Sequence, residues 1–127
     1  MNVLDENVPR YHWHYLRTQR ITTRQIGYEV GRSGMQDDEI VPLLLSLSRP
    51  TFFTLDQDFY RPKLCHARYG LVWLDVLQVE IALFVRRFLR HPKFDTAERR
   101  MGTVVHVAHG ALWAWQLHAQ KEVRFDW

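Results

Sequence analysis

The chain holds one cysteine, Cys65, among 127 residues. That excludes an internal disulfide and leaves no Cys/His spacing for a zinc site, so a half-buried structural thiol is expected. Proline and glycine are scarce as well, which rules out collagen-like or low-complexity chains. No apolar stretch approaches the roughly 20 residues that span a bilayer; Ile81-Ala82-Leu83-Phe84-Val85 is among the longest. No charged segment followed by an apolar one comes after Met1, so the expected location is cytoplasmic, with no membrane partner. A large excess of one sign of charge is also lacking, the net value being only +3. This length suits one core and one domain, residues 1–127.

What is present is an alternation of strand-like and helix-like segments. Residues 1–4 read as a short strand. Pro9 suits the first turn of a helix, and residues 10–19 follow with Tyr11, Tyr15 and Leu16 on one face. Residues 21–26 read as a second strand and residues 27–34, glycine-rich, as a loop. Asp37 is placed to cap a helix over 38–48, with acidic residues at its positive end, and Arg49-Pro50 stops it. Thr51-Phe52-Phe53-Thr54-Leu55 has the apolar character of a strand buried on both faces.

Residues 57–69 are polar and irregular and are expected to loop away from the sheet. A fourth strand over 71–76 leads into a helix over 77–90 with Leu77, Ile81, Phe84, Val85 and Phe88 inward. Residues 104–108 and 111–115 flank His109-Gly110 as a hairpin. The alternation argues for an α/β fold with a mainly parallel sheet and right-handed crossovers. The motif-bearing core is then 1–76, and the helix and hairpin of 77–127 are an addition.

Acidic residues stand where strands end or helices begin: Asp5-Glu6-Asn7 after Val3-Leu4, Asp37-Asp38-Glu39 before an apolar run, and Asp56 and Asp58 within Thr54-Leu55-Asp56-Gln57-Asp58-Phe59. In a parallel sheet these positions converge at the carboxyl edge, where ligands bind. Gathered carboxylates repel one another unless a hard cation lies between them. Each also has a plainer use: Asp37 suits a helix cap, and Asp56 with Asp58 suits an Asx turn. Asp75, at the end of the fourth strand, is a further ligand candidate of lower rank.

Cations form two groups, Arg10, Arg17, Arg20 and Arg24 early, then Arg86, Arg87, Arg90, Lys93, Arg99 and Arg100 late. Such groups neutralise backbone phosphates, and they also describe solvated helix faces. Arg10, Arg17, Arg86, Arg87 and Arg90 are the nucleic-acid-binding candidates. Histidines 12, 14, 106 and 109 lack ligand spacing and are expected at the surface or in packing. Trp73, Trp113, Trp115 and Trp127 suit base stacking or a core or dimer interface.

The Val3-Leu4-Asp5-Glu6-Asn7-Val8-Pro9 opening, the Asp37-Asp38-Glu39-Ile40 helix start and Phe53-Thr54-Leu55-Asp56-Gln57-Asp58-Phe59 occur in that order. Together they resemble the PIN-like superfamily, in particular its compact bacterial branch, some members of which are associated with toxin–antitoxin modules. The resemblance covers residues 1 to about 76. It implies a Rossmann-like three-layer α/β/α sandwich and cleavage of RNA dependent on Mg²⁺ or Mn²⁺. By motif, Asp5 matches the first family carboxylate, Asp37 the one opening the later helix, and Asp56 and Asp58 the final pair. These four are the expected metal and catalytic residues, with Asn7 and Thr54 supporting them.

The chain departs from the family in lacking a mid-chain helix with another acidic residue; Glu29 lies in that interval without a motif. The expected partners are RNA, an antitoxin protein and a second copy of the chain. The alternative function is a catalytically inactive PIN-like module that binds a partner protein or itself.

Overall fold

Successive strand residues send their side chains to opposite faces, and in this chain both faces are apolar. Val3, Phe52, Leu71 and Val104 lie in one buried cluster, while Leu4, Phe53, Val72 and Val105 lie in another. A sheet with such a sequence is stable only when covered on both sides. The computed structural model describes residues 1–127 and contains β1 (Asn2–Leu4), α1 (Arg10–Thr18), β2 (Thr23–Gln25), α2 (Asp37–Leu45) and β3 (Thr51–Thr54). After these come β4 (Gly70–Leu74), α3 (Ile81–Arg90), α4 (Ala97–Arg100), β5 (Thr103–Val107), β6 (Leu112–Gln116) and β7 (Val123–Phe125).

The seven strands form one sheet in the order β2-β1-β3-β4-β5-β6-β7. The first five in that order run parallel, and β6 and β7 are antiparallel additions. This is an α/β fold with a mixed, mostly parallel sheet. Helices α1 and α3 share the cluster containing Leu16, Phe53, Val85 and Phe88, whereas α2 supplies Ile40 and Leu44 to the other. Phe53 and Phe88 meet edge to face at 5.9 Å, a geometry that adds about 1 kcal/mol to the burial itself. Because β5 pairs in parallel with β4, the C-terminal strands continue the same sheet from β4 to its far edge at β7.

Several local expectations need correction. Asp37 is the first helical residue of α2, not its cap. Gln36 takes the cap position, and its N–H donates to the Glu39 carboxylate at 3.1 Å, so the acidic trio fills the first turn where the helix dipole favours it. The helix ends at Leu45, before residue 48. There Ser46 N–H returns to Leu43 O and Leu47 N–H to Leu44 O, tightened bonds that satisfy the last carbonyls. Residues 57–69 do not loop away. Phe59, in a 3-10 turn over Gln57–Phe59, is buried and packs edge to face on Phe52 at 5.3 Å.

Tyr11 and Tyr15 face outward, and the buried residues of α1 are His12 and Leu16. Leu77 is exposed, because a 3-10 turn over Gln78–Glu80 precedes α3. His12 Nδ1 accepts from Ala82 N–H at 3.1 Å, and Nε2 lies 2.7 Å from Gln78 O. That pair of bonds fixes a neutral tautomer with the proton on Nε2 and ties α1 to the start of α3. Burial correspondingly pushes the His12 pKa down.

Candidate metal centre

The carboxyl ends of β1 and β3 deliver the first two carboxylates side by side. Asp5 N–H donates to Phe53 O at 2.9 Å, continuing the parallel pairing one residue past β1. On the adjacent strand, Thr54 is fully buried and its hydroxyl donates to Asp5 Oδ2 at 2.7 Å. The same Thr54 oxygen accepts from Asp56 N–H at 3.0 Å. One threonine therefore orients Asp5 and the backbone that carries Asp56.

Asp56 ends the strand in an Asx turn, its Oδ1 accepting from Asp58 N–H at 2.9 Å. The turn starts the 3-10 segment and places Asp58 beside Asp56. From the other side, α2 brings Asp37 at its first position. One carboxylate oxygen from each of Asp37, Asp56 and Asp58 lies within 4.8 Å of the others, so the three can hold a metal ion. The turn expected as the plainer use of Asp56 and Asp58 is thus the device that builds the cluster.

Asp5 stands outside this threesome but within its field. Desolvation raises the Asp5 pKa above the usual carboxylate value, and the charge of Asp37 adds to the rise. The Thr54 hydroxyl and the amides of Glu6 and Asn7 pull it back. The Asp37 pKa is raised by loss of solvation, by the charges of Asp56 and Asp58, and by a hydrogen bond with Asp56 that needs a shared proton. The like charges of Asp56, Asp58 and Asp38 act in the same direction as the desolvation. No lysine or arginine forms an ion pair with them. The ion pairs of the molecule use Glu29, Glu39, Asp95 and Asp126, and Asp75 and Glu80 contact histidines; none involves Asp5, Asp37, Asp38, Asp56 or Asp58.

Two separate recesses are lined by these carboxylates. One of about 360 Å³ is lined by Asp37, Asp58, Phe59, Arg61 and Lys63 among others. The other, about 280 Å³, is lined by Asp5, Asn7, Val8, Leu55 and Asp56. Asn7 is exposed, and its part is played by its backbone amide and its position at the rim. All-oxygen donors of this kind suit hard divalent cations.

Comparison with known protein families, with curated proteins and with solved structures yields no match for the chain.

The arginines singled out in the sequence line neither recess. Arg10 is held by Glu29 through a two-pronged ion pair and lies over the rings of Trp13 and Tyr28 at 3.9 and 4.2 Å. Arg17 lines a different pocket with Trp13 and Arg20. On α3, Arg86 has its Nε buried, Arg87 lies 4.2 Å over Trp127, and Arg90 is in the last turn. Arg61 and Lys63 are the cations beside the carboxylates, and both are exposed and outside any ion pair. Their signal in the sequence was their closeness to Asp56 and Asp58, overshadowed by denser clusters elsewhere.

Asp75 joins no carboxylate group; its Oδ2 pairs with His106 Nε2 at 3.0 Å. His106 is stacked between Trp73 and Trp113, at ring separations of 4.0 and 5.2 Å. His109 pairs with Glu80 at 2.8 Å. Trp127 donates to Ala108 O at 2.8 Å, and no helix of the protein is long and apolar enough to cross a membrane.

Proposed function

We propose that this chain is a metal-dependent nuclease of PIN-like type that hydrolyses RNA phosphodiester bonds, with Mg²⁺ or Mn²⁺ as its ion. The observation that carries the reading is the convergence of Asp37, Asp56 and Asp58 oxygens within 4.8 Å, with no cationic side chain paired to them. An isolated structural cluster of that density raises the free energy of the fold through like-charge repulsion, and a bound cation removes that cost. The alternative, an inactive module, calls for an arginine side chain in place of the ion, and no arginine forms an ion pair with these carboxylates.

In this reading Asp37, Asp56 and Asp58 hold the ion and Asp5, fixed by Thr54, completes the site directly or through water. When bound, the ion supplies charge neutralisation at phosphoryl oxygens and a water of lowered pKa. Arg61 and Lys63, at the rim of the recess, position the scissile strand through its phosphates. Asp5, whose pKa is raised by partial burial, is the carboxylate best placed to accept a proton from the attacking water. The association with an antitoxin protein and with a second copy belongs to the same proposal by family resemblance.

The test is cleavage of single-stranded RNA by the purified chain in Mn²⁺ or Mg²⁺. Loss by about a hundredfold or more in Asp56→Asn, with the fold intact by circular dichroism, is the expected result. No cleavage by wild type, or equal cleavage by the variant, contradicts the proposal.

A further inference from the structure

The amino edge of the sheet, opposite the carboxylates, gathers charge of the other sign. A cavity of about 530 Å³ opens there, with Asn2, Arg20, Arg24, Asp95 and Arg100 in its lining. Arg100 is unusual among them, being only 7% exposed. Its Nε donates to Thr51 Oγ1 at 2.9 Å and its Nη1 to Phe94 O at 2.7 Å. Nη2 has no hydrogen-bond partner in the protein, yet it is not among the fully enclosed unpaired atoms, so it keeps solvent access on a residue that lines the cavity.

A guanidinium stays protonated under all ordinary conditions, and a buried charge without a counter-ion is costly. No carboxylate lies within 4 Å of Arg100. Asp95 is the acidic residue nearest in effect, and its carboxylate is engaged by Arg99 at 2.9 Å. Arg20 and Arg24 are likewise in no ion pair. Arg49, a further cation acting on Arg100, is also unpaired. Arg20 and Arg49 have φ of 60° and 49°, the left-handed region where glycine or asparagine is cheaper. Backbone geometry therefore gives no reason for arginine at either position.

We propose that this cavity binds a phosphate-bearing small molecule of nucleoside-monophosphate size. The phosphoryl oxygens take hydrogen bonds from Arg100 Nη2, the one rigid donor, and from Arg20 and Arg24, whose greater freedom lets them close over the anion. Ile21 and Leu89 supply an apolar wall for the remainder of the ligand, and the volume is in the range of small-molecule sites. Inorganic phosphate shares the same chemistry in its head group. The site is independent of the metal-nuclease reading, because it lies at the other edge of the sheet and uses none of its residues.

The experiment titrates the full chain, in EDTA and at constant ionic strength, with a nucleoside 5′-monophosphate, with inorganic phosphate and with the unphosphorylated nucleoside, reading affinity by calorimetry and thermal midpoint. The comparison protein is the double variant Arg20→Gly, Arg24→Gln. It removes two cations from exposed positions and relieves the left-handed backbone at residue 20, so it is expected to fold. Saturable binding of the monophosphate, no binding of the nucleoside and at least about a tenfold loss in the variant support the site. Inorganic phosphate binding as tightly as the nucleotide identifies the free anion as the occupant and also supports it. No saturable binding of either phosphate, or equal affinity in wild type and variant, overturns the proposal.

Discussion

Thr54 Oγ1 donates to Asp5 Oδ2 at 2.7 Å and accepts from Asp56 N–H at 3.0 Å, joining the ends of two neighbouring parallel strands through one buried hydroxyl. The carboxylate edge is thereby assembled before any ligand arrives, since both bonds are internal to the fold. A threonine at the end of a buried strand is ordinarily a packing residue; here its oxygen satisfies two groups of the candidate site.

Thr54→Val keeps the shape and removes that oxygen. The Asp56 N–H loses its acceptor and the partly buried Asp5 carboxylate loses a donor. The chain is expected to lose about 1–3 kcal/mol of stability at neutral pH, read from the urea midpoint. The Asp5 pKa, already raised by desolvation, should rise further, because the hydroxyl's bond favoured the charged form.

His12 gives a pH dependence of definite sign. Its folded-state pKa lies below the usual 6.5 because burial disfavours the imidazolium, and protonating Nδ1 abolishes the bond from Ala82 N–H. The unfolded chain therefore binds the proton more readily, so this contribution is complete above pH 6.5 and is lost as pH falls from there through the folded pKa. His12→Gln should flatten the fall in thermal midpoint across that window. An unchanged slope in the variant would assign the fall to other groups.

Arg61 and Lys63 are expected to touch phosphates and not bases. Replacing either by alanine should weaken binding of single-stranded RNA to the Asp56→Asn chain similarly for different sequences. The slope of log affinity against log salt should fall by about 0.7 for each phosphate no longer neutralised. Filter binding or fluorescence anisotropy at several salt concentrations measures this. Alanine at Arg87 should leave the slope unchanged, since that side chain lies over Trp127, away from the recess.

Much of the fold was legible because its signals are local and strong. Pro9 before α1, the largely apolar run Thr51-Phe52-Phe53-Thr54-Leu55, and the periodic Leu77, Ile81, Phe84, Val85, Phe88 each led to an element where the structure has one, although β3 stops at Thr54 and Leu77 lies outside α3. Two elements carried no such signal. α4 is four residues long and held by the Thr96 hydroxyl, which accepts from Arg99 N–H at 3.2 Å. β7 has only three residues, the first two exposed, and exists through its pairing with β6.

The candidate site was legible as residue types, Asp5, Asp37, Asp56 and Asp58, because strand ends and helix starts converge in a parallel sheet. What sequence could not give was their division. Three carboxylates meet through the Asx turn and the first turn of α2, while Asp5 is drawn back by Thr54. Nor did the clustering of arginines reveal which cations face the carboxylates. Long side chains choose their partners in three dimensions, and Arg10 chose Glu29 and two aromatic rings.

That Asp37, Asp56 and Asp58 form a divalent-cation site is tested most directly by the thermal midpoint titrated with Mn²⁺ in wild type and Asp56→Asn. Asparagine retains an oxygen to accept from Asp58 N–H, so the variant keeps its turn. Binding to the folded state raises the midpoint by mass action, with about 2.7 kcal/mol of stabilisation at a hundred times the dissociation constant. The raised pKa of Asp37 and Asp5 sets the pH dependence. Lowering pH through those values neutralises the repelling carboxylates, stabilising the metal-free fold down to the ordinary 3.8 and weakening the Mn²⁺ response. The predicted result is a saturable rise in wild type at neutral pH that is absent in Asp56→Asn and fades on acidification. A midpoint indifferent to Mn²⁺ in wild type, or a rise of equal size in the variant, contradicts it.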